Sequence, residues 1–256
     1  MKKCTLTLIL VTALLVSTLT GTLKTATSGA SSSSSTDAST TDWPMFHFNL
    51  NRSGSPDNIA PASYDLLWNF NTQGNGNNIT VISSSPAIVD GLVYVGSNDG
   101  HLFAVNASTG MLLWNDTLGT FAAGSPAVIG GVVYDNVWEG MQYAVNASTG
   151  AVIWSYPTMY SSSSPVVADG LYFVGGGNQN CIALNATTGT QVWNFQPTSG
   201  TTDGSPIVSG GVVYICSCGN IYALNESTGA LIWSRFAVPG GTWVSPTLAN
   251  GVLCCF

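Results

Sequence analysis

Cysteines, histidines, acids and arginines are the side chains here that could do chemistry, and their spacing assigns most of them to structure. Cys254 and Cys255 are adjacent, Cys216 and Cys218 lie two apart, and Cys4 and Cys181 stand alone. Neighbouring residues on a strand point to opposite faces and a bridge between them needs a strained peptide, so Cys254 and Cys255 read as two small buried thiols. Cys216 and Cys218 share a face on a regular strand but sit too far apart to bridge; with Cys218 in a following turn the geometry stays open. Loss of a leader containing Cys4 leaves five cysteines, so not all can pair internally. No set has zinc-ligand spacing, and His47 and His101 are isolated. Serines abound, but no nucleophile, base and oxyanion arrangement is legible around either histidine.

The acids are just as scattered. Asp90 and Asp169 each precede a glycine in a two-residue turn, while Asp99, Asp135, Glu139 and Asp203 fall in separate segments with no grouping that predicts a calcium site. Cations are scarcer still: the only lysines are Lys2, Lys3 and Lys24, and beyond a leader only Arg52 and Arg235 remain. Phosphate binding needs clustered Lys or Arg, so a formal charge of -7 and this cation supply exclude nucleic acid as a partner. Charged residues make up 7% of the chain, against about 25% in an ordinary soluble protein. With 29 glycines and 8 tryptophans, the composition favours a turn-rich all-β fold with a polar, uncharged surface.

Residues 1–30 resemble a secretory leader: Met1, Lys2 and Lys3 form a basic start, residues 6–19 an apolar run, and small residues follow around Ser28, Gly29 and Ala30. An uncleaved N-terminal anchor is the alternative, since residues 4–23 are about long enough to cross a bilayer. Either reading puts the rest of the chain outside the cytoplasm, secreted or at the cell surface, with membrane contact only through this segment. Residues 31–41 are almost all Ser, Thr and Ala, too poor in apolar side chains to order themselves, and read as a linker.

What positions the remaining side chains is a repeat. Ser-Pro pairs recur at Ser85, Ser125, Ser164, Ser205 and Ser245, with spacings of 40, 39, 41 and 40, and Trp114, Trp154, Trp193 and Trp233 keep the same step. Within the first copy, residues 86–89 and 92–95 form two short strands joined by Asp90-Gly91, a turn dipeptide that supplies positive φ. A polar Asn98-Asp99-Gly100 turn leads to a third strand over 102–105, and residues 106–110 turn the chain into a fourth strand ending at Trp114. Four antiparallel strands every 40 residues or so is the pattern of a β-propeller blade.

Residues 104–114 read A-x-N-x-x-T-G-x-x-x-W, and residues 144–154, 183–193 and 223–233 repeat the pattern. This resembles the docking motif of the pyrroloquinoline-quinone-like (PQQ-like) repeat family, and Asp42-Trp43-Pro44-Met45 resembles the opening segment of its cell-surface members. The resemblance implies that Gly110, Trp114, Gly150, Trp154, Gly189, Trp193, Gly229 and Trp233 pack each blade on its neighbour. Burying one such Trp is worth at most about 5 kcal/mol. It also implies a ring of seven or eight blades, whereas residues 42–256 hold four full copies and a partial fifth that stops in its second strand. The expectation is therefore an incomplete ring, a fragment in which Trp68 serves a blade whose other strands are absent. Relatives that are dehydrogenases hold pyrroloquinoline quinone with cationic groups and a calcium ion; the sparse arginines and ungrouped acids disfavour both cofactors here. Fold alone leaves three readings: a non-catalytic binding or scaffolding module at the cell surface, a quinoprotein oxidoreductase fragment, and an envelope protein-assembly propeller, the last lacking a lipoprotein cysteine.

Seven N-x-[ST] sequons, at Asn51, Asn78, Asn106, Asn115, Asn146, Asn185 and Asn225, are candidate glycosylation sites. Four of them fall in the docking turn, where Asn also makes the turn that Asp makes in relatives. Strand alternation puts the first and third turns of each blade on one rim, where they are nearly identical between copies. The opposite rim carries segments that differ in every copy, among them Asp99, Trp138, Glu139 and the inter-blade links with Phe121, Tyr160 and Trp243. Variable loops on a rigid frame carry specificity, so Asp99, Trp138, Glu139 and Trp243 mark the candidate ligand face for a protein or glycan partner.

Overall fold

A computed structural model describes residues 42–50, 66–72, 82–122, 124–176, 180–198, 202, 204–236 and 244–255. The leader and linker, Arg52, Asp203, Trp243 and the sequons at Asn51 and Asn78 lie outside the described residues.

Four four-stranded antiparallel sheets follow one another along the chain. Blade 1 holds β1 (Ala87–Val89), β2 (Leu92–Gly96), β3 (His101–Asn106) and β4 (Leu112–Thr117); blade 2 holds β5 (Ala127–Ile129), β6 (Val132–Val137), β7 (Met141–Asn146) and β8 (Val152–Pro157). Blade 3 holds β9 (Val166–Ala168), β10 (Leu171–Gly176), β11 (Asn180–Asn185) and β12 (Gln191–Phe195), and blade 4 β13 (Ile207–Ser209), β14 (Val212–Ser217), β15 (Asn220–Asn225) and β16 (Leu231–Phe236). A two-stranded sheet of β17 (Thr247–Ala249) and β18 (Val252–Cys254) begins a fifth. First strands of consecutive blades neighbour one another, so each blade runs from β1-type strands at the axis to β4-type strands outside, as in a propeller.

Local chemistry sets these bounds. The first strand is three residues long because a Ser-Pro pair starts it and a two-residue turn ends it. Asp90 and Gly91 take φ of 52° and 73°, and Gly130-Gly131, Asp169-Gly170, Gly210-Gly211 and Asn250-Gly251 are likewise positive, as a hairpin of this twist demands. The fourth strand runs three residues past Trp114, because His101 pairs Thr117 and Phe103 pairs Asn115. In the docking turn the Asn106 side-chain oxygen accepts the N–H groups of Ser108 and Thr109, at 3.0 and 2.9 Å.

The core lies between blades rather than within them. Across one face of each blade runs a row such as Ala87, Tyr94, Ala104 and Trp114, set by register. The fully buried Ala104 leaves room for Tyr94 and Trp114 to meet at 6.0 Å; Tyr134 and Trp154, Phe173 and Trp193, and Tyr214 and Trp233 repeat the pair. Four Trp side chains lie on the docking-turn Gly of the next blade: Trp114 on Gly150, Trp154 on Gly189, Trp193 on Gly229, and Trp68 on Gly110. A Cβ at Gly189 would come within 2.7 Å of the Trp154 ring. The indole N–H of Trp68, Trp114, Trp154 and Trp193 donates to the carbonyls of Ala107, Ala147, Ala186 and Glu226. Trp68 thus packs on blade 1 as the fourth-strand Trp of a preceding blade does, although residues 66–72 pair in no strand among the described residues.

Two further devices tie blades together. Backbone N–H groups of Ser85, Ser125, Ser164 and Ser205 donate at 2.8–3.0 Å to the hydroxyls of Ser125, Ser164, Ser205 and Ser245, one blade on. The opening segment crosses the free edges of innermost strands: Trp43 exchanges hydrogen bonds with Ile88, Pro44 accepts from Val128, and Leu50 accepts from Val208.

The cysteine reading needs correction. Cys255 is not a buried thiol beside Cys254 but is bonded to Cys216, 39 residues back, while Cys254 is free and half-buried. The reason is blade geometry. The end of one blade's second strand faces the end of the next, so Gly96 looks onto Asp135 as Cys216 looks onto Cys255. Cys218 sits in a turn at φ 43° and is free.

Candidate functional site

The two rims differ as their sequences do. On one, the first and third turns of each blade are joined: Ala107 N–H donates to Gly91 O, Ala147 to Gly131, Ala186 to Gly170 and Glu226 to Gly211, at 2.9–3.0 Å. Asn106, Asn146, Asn185 and Asn225 lie on this rim, each side-chain oxygen occupied in capping its own turn. Asn115 is exposed on β4.

On the other rim the second turn of a blade packs against the link that leaves it. Leu118 N–H donates to Gly100 O, Thr158 N–H to Gly140 O, and Trp138 N–H to Phe121 O from the preceding link. Those contacts gather three aromatics. Trp138 stands between Phe121 and Tyr160, each with ring centroids 6.2 Å away, and Trp138 is 39% and Tyr160 59% exposed. Glu139 is exposed beside them. Asp99 occupies the matching turn of blade 1, where the Ser97 hydroxyl donates to one carboxylate oxygen and the other is buried without a partner. Trp243 lies outside the described residues.

Next to this strip the structure forms a groove of about 280 Å³ between blades 2 and 3, which sequence reasoning missed. Tyr156, Thr158 and Met159 line one side, and Asn180, Gln191 and Asn194 the other. The Tyr156 hydroxyl donates to Gln191 Oε1 at 2.8 Å, whereas Asn180 Oδ1 is buried with no partner. In sequence only residues 176–180 hint at it, since the corresponding turn differs in every copy.

Beneath the rim lies a buried polar layer. Gln142 accepts the Tyr172 hydroxyl at 2.5 Å and donates to Thr158 Oγ1 at 2.9 Å, tying the core to the rim link. Burial pushes the Tyr172 hydroxyl well above its usual range, with the nearby Asp135 adding to it. Asp135 is fully buried, where Val95, Val174 and Ile215 stand in the other blades. Desolvation pushes its carboxyl up to about 8, opposed by the Asn136 N–H, which donates at 2.8 Å.

The structure places the described acids and cations apart from one another. Asp90 and Asp169 are held in positive-φ turns, Arg235 is exposed on the outermost strand of blade 4, and no three His, Cys, Asp or Glu among the described residues could share a metal ion.

Comparison with known proteins places this geometry. The family model described as outer membrane protein assembly factor BamB matches residues 57–140 and 139–243. The chain is similar in structure to BamB from Moraxella catarrhalis at 21% identity, covering 69% of this chain and 61% of that one with a TM-score of 0.59. It is similar to the quinohemoprotein alcohol dehydrogenase from Comamonas testosteroni at 17% identity, covering 84% and 45% with a TM-score of 0.68. The computationally designed Ika8 protein matches at 15% identity, covering 66% and 54% with a TM-score of 0.58. The chain therefore spans less than two thirds of each of these structures. No protein of curated function matches it in sequence. The docking motif, the blades it joins and a family match running over residues 57–243 lead to one conclusion: the chain belongs to the PQQ-like repeat β-propellers, the family described as outer membrane protein assembly factor BamB.

Proposed function

We propose that this propeller is a non-catalytic extracytoplasmic module that binds a protein or glycan partner at the cell surface through its variable rim. One observation carries the reading: Trp138 is held partly exposed between Phe121 and Tyr160 on the rim whose turns differ in every blade. A rigid frame with one variable, aromatic rim is what a binding surface needs. The leader-like residues 1–30 and the envelope role in the family's description support the location. Occupied sequons on the opposite rim would leave this face open. A photo-crosslinking residue at position 138 should capture the partner when one at position 106 does not; capture from position 106 alone would reject the assignment.

The family match favours a second reading, an envelope protein-assembly propeller. The two differ in partner: an assembly factor retains membrane-protein assembly components, a surface module retains an external ligand. We expect no binding of pyrroloquinoline quinone with or without calcium, since its carboxylates meet no grouped cations among the described residues. Stoichiometric micromolar binding by calorimetry would overturn that and restore the oxidoreductase reading.

A further inference from the structure

We propose that the groove between blades 2 and 3 is a subsite for one residue of a neutral oligosaccharide, with the Phe121, Trp138 and Tyr160 strip as the platform for its neighbours. This rests on the rim-binding reading above and gives it a ligand class.

Three observations lead there. The groove presents uncharged amides and hydroxyls, from Asn180, Gln191, Asn194, Tyr156 and Thr158, and no charged side chain lines it among the described residues. Those groups suit ligand hydroxyls, which both donate and accept. Second, Asn180 Oδ1 is buried with no donor in reach. Buried acceptors are almost always paired, and a rotation of this groove-wall side chain would turn its unpaired amide oxygen toward a ligand O–H. Third, Met159 lines the groove and the next residue, Tyr160, joins the exposed aromatic strip. Trp and Tyr pair an apolar ring with a polar tip, which matches the apolar faces and polar edges of sugar rings.

Size and charge narrow the class. At about 280 Å³ the groove falls just below the range of sites for drug-sized ligands, so it suits a single ring. Glu139 on the rim and a chain charge of -7 act against sialylated or sulfated sugars.

Calorimetry of the full chain with cellotriose, mannotriose and chitotriose, and with sialyllactose as the anionic control, tests the proposal. At least one neutral trisaccharide should bind saturably and more tightly than the control. Gln191→Ala, an exposed change that leaves the fold intact, and Asn180→Ala should each weaken it about 3- to 10-fold, the worth of one uncharged hydrogen bond. Trp138→Ala should weaken it too, and Asn106→Gln on the opposite rim should not. Saturable binding untouched by Gln191→Ala and Trp138→Ala would overturn the site, and absence of binding by all three neutral sugars would overturn the ligand class. If no sugar binds while Trp138→Ala still abolishes capture of a protein partner, the glycan inference falls and the rim-binding reading stands.

Discussion

Replacing Asp135 by asparagine should stabilise the protein at neutral pH and remove a specific pH dependence. The carboxyl is fully buried on β6, one oxygen accepts the Asn136 N–H, and the other has no partner beside Gly96 and Ala122. Its pKa is raised from 3.8 to about 8, chiefly by desolvation. A raised acid pKa means the folded state binds the proton more tightly than the unfolded state. The stabilisation is therefore complete below pH 3.8, declines as pH rises, and is gone above about 8. Each pH unit in that window is worth about 1.4 kcal/mol. Between the unfolded pKa and pH 7 the loss approaches about 4 kcal/mol, an upper bound because local opening admits water. An amide of the same shape has no charge to desolvate. Urea unfolding of both proteins across pH 4.5–8.5 isolates the effect, since every other titrating group is common to them. The stability difference should shift toward the variant by about 1.4 kcal/mol per pH unit and level off near pH 8. Parallel pH profiles would refute the reasoning and mean that Asp135 is hydrated or partnered.

Blade docking and the inter-blade disulfide give three further predictions. Trp154→Ala should lower stability by about 3–5 kcal/mol by opening the junction between blades 2 and 3. Gly189→Ala should cost about 1–3 kcal/mol, since its Cβ would meet the Trp154 ring at a residue with φ 71°; thermal melts check both, and a neutral Gly189→Ala would contradict the packing. Cys216→Ser should cost about 4 kcal/mol by freeing a 39-residue loop, and mass spectrometry of the intact protein should find Cys216 linked to Cys255.

The repeat made most of the fold legible, because each landmark answers to a geometric need. Asp90-Gly91 must be a positive-φ turn, and Trp114 must meet a glycine with no Cβ in its way. What the sequence left hidden depends on contacts one blade away. Cys216 and Cys255 looked unrelated because the eye pairs cysteines by nearness, whereas the fold pairs them by the offset that separates Gly96 from Asp135. The Ser-Pro pairs were visible as landmarks, but not as hydroxyls receiving the backbone N–H of the previous blade. The candidate rim was legible in Trp138, Glu139, Phe121 and Tyr160, since variation among copies marks it. The groove was not, because Tyr156, Asn180 and Gln191 come from three strands of two blades and look like ordinary surface residues.

The rim assignment is tested most directly by comparing two variants against any ligand that the wild-type chain binds. One carries Trp138→Ala with Glu139→Ala, both exposed and outside the packed junctions. The other carries Asp at Asn106, Asn146, Asn185 and Asn225, which keeps each turn's capping oxygen while removing every sequon on the opposite rim. The account predicts that binding is lost in the first variant and kept in the second, with both melting as the wild type does. Binding that survives in the first and disappears in the second would place the partner on the docking-turn rim and contradict the account.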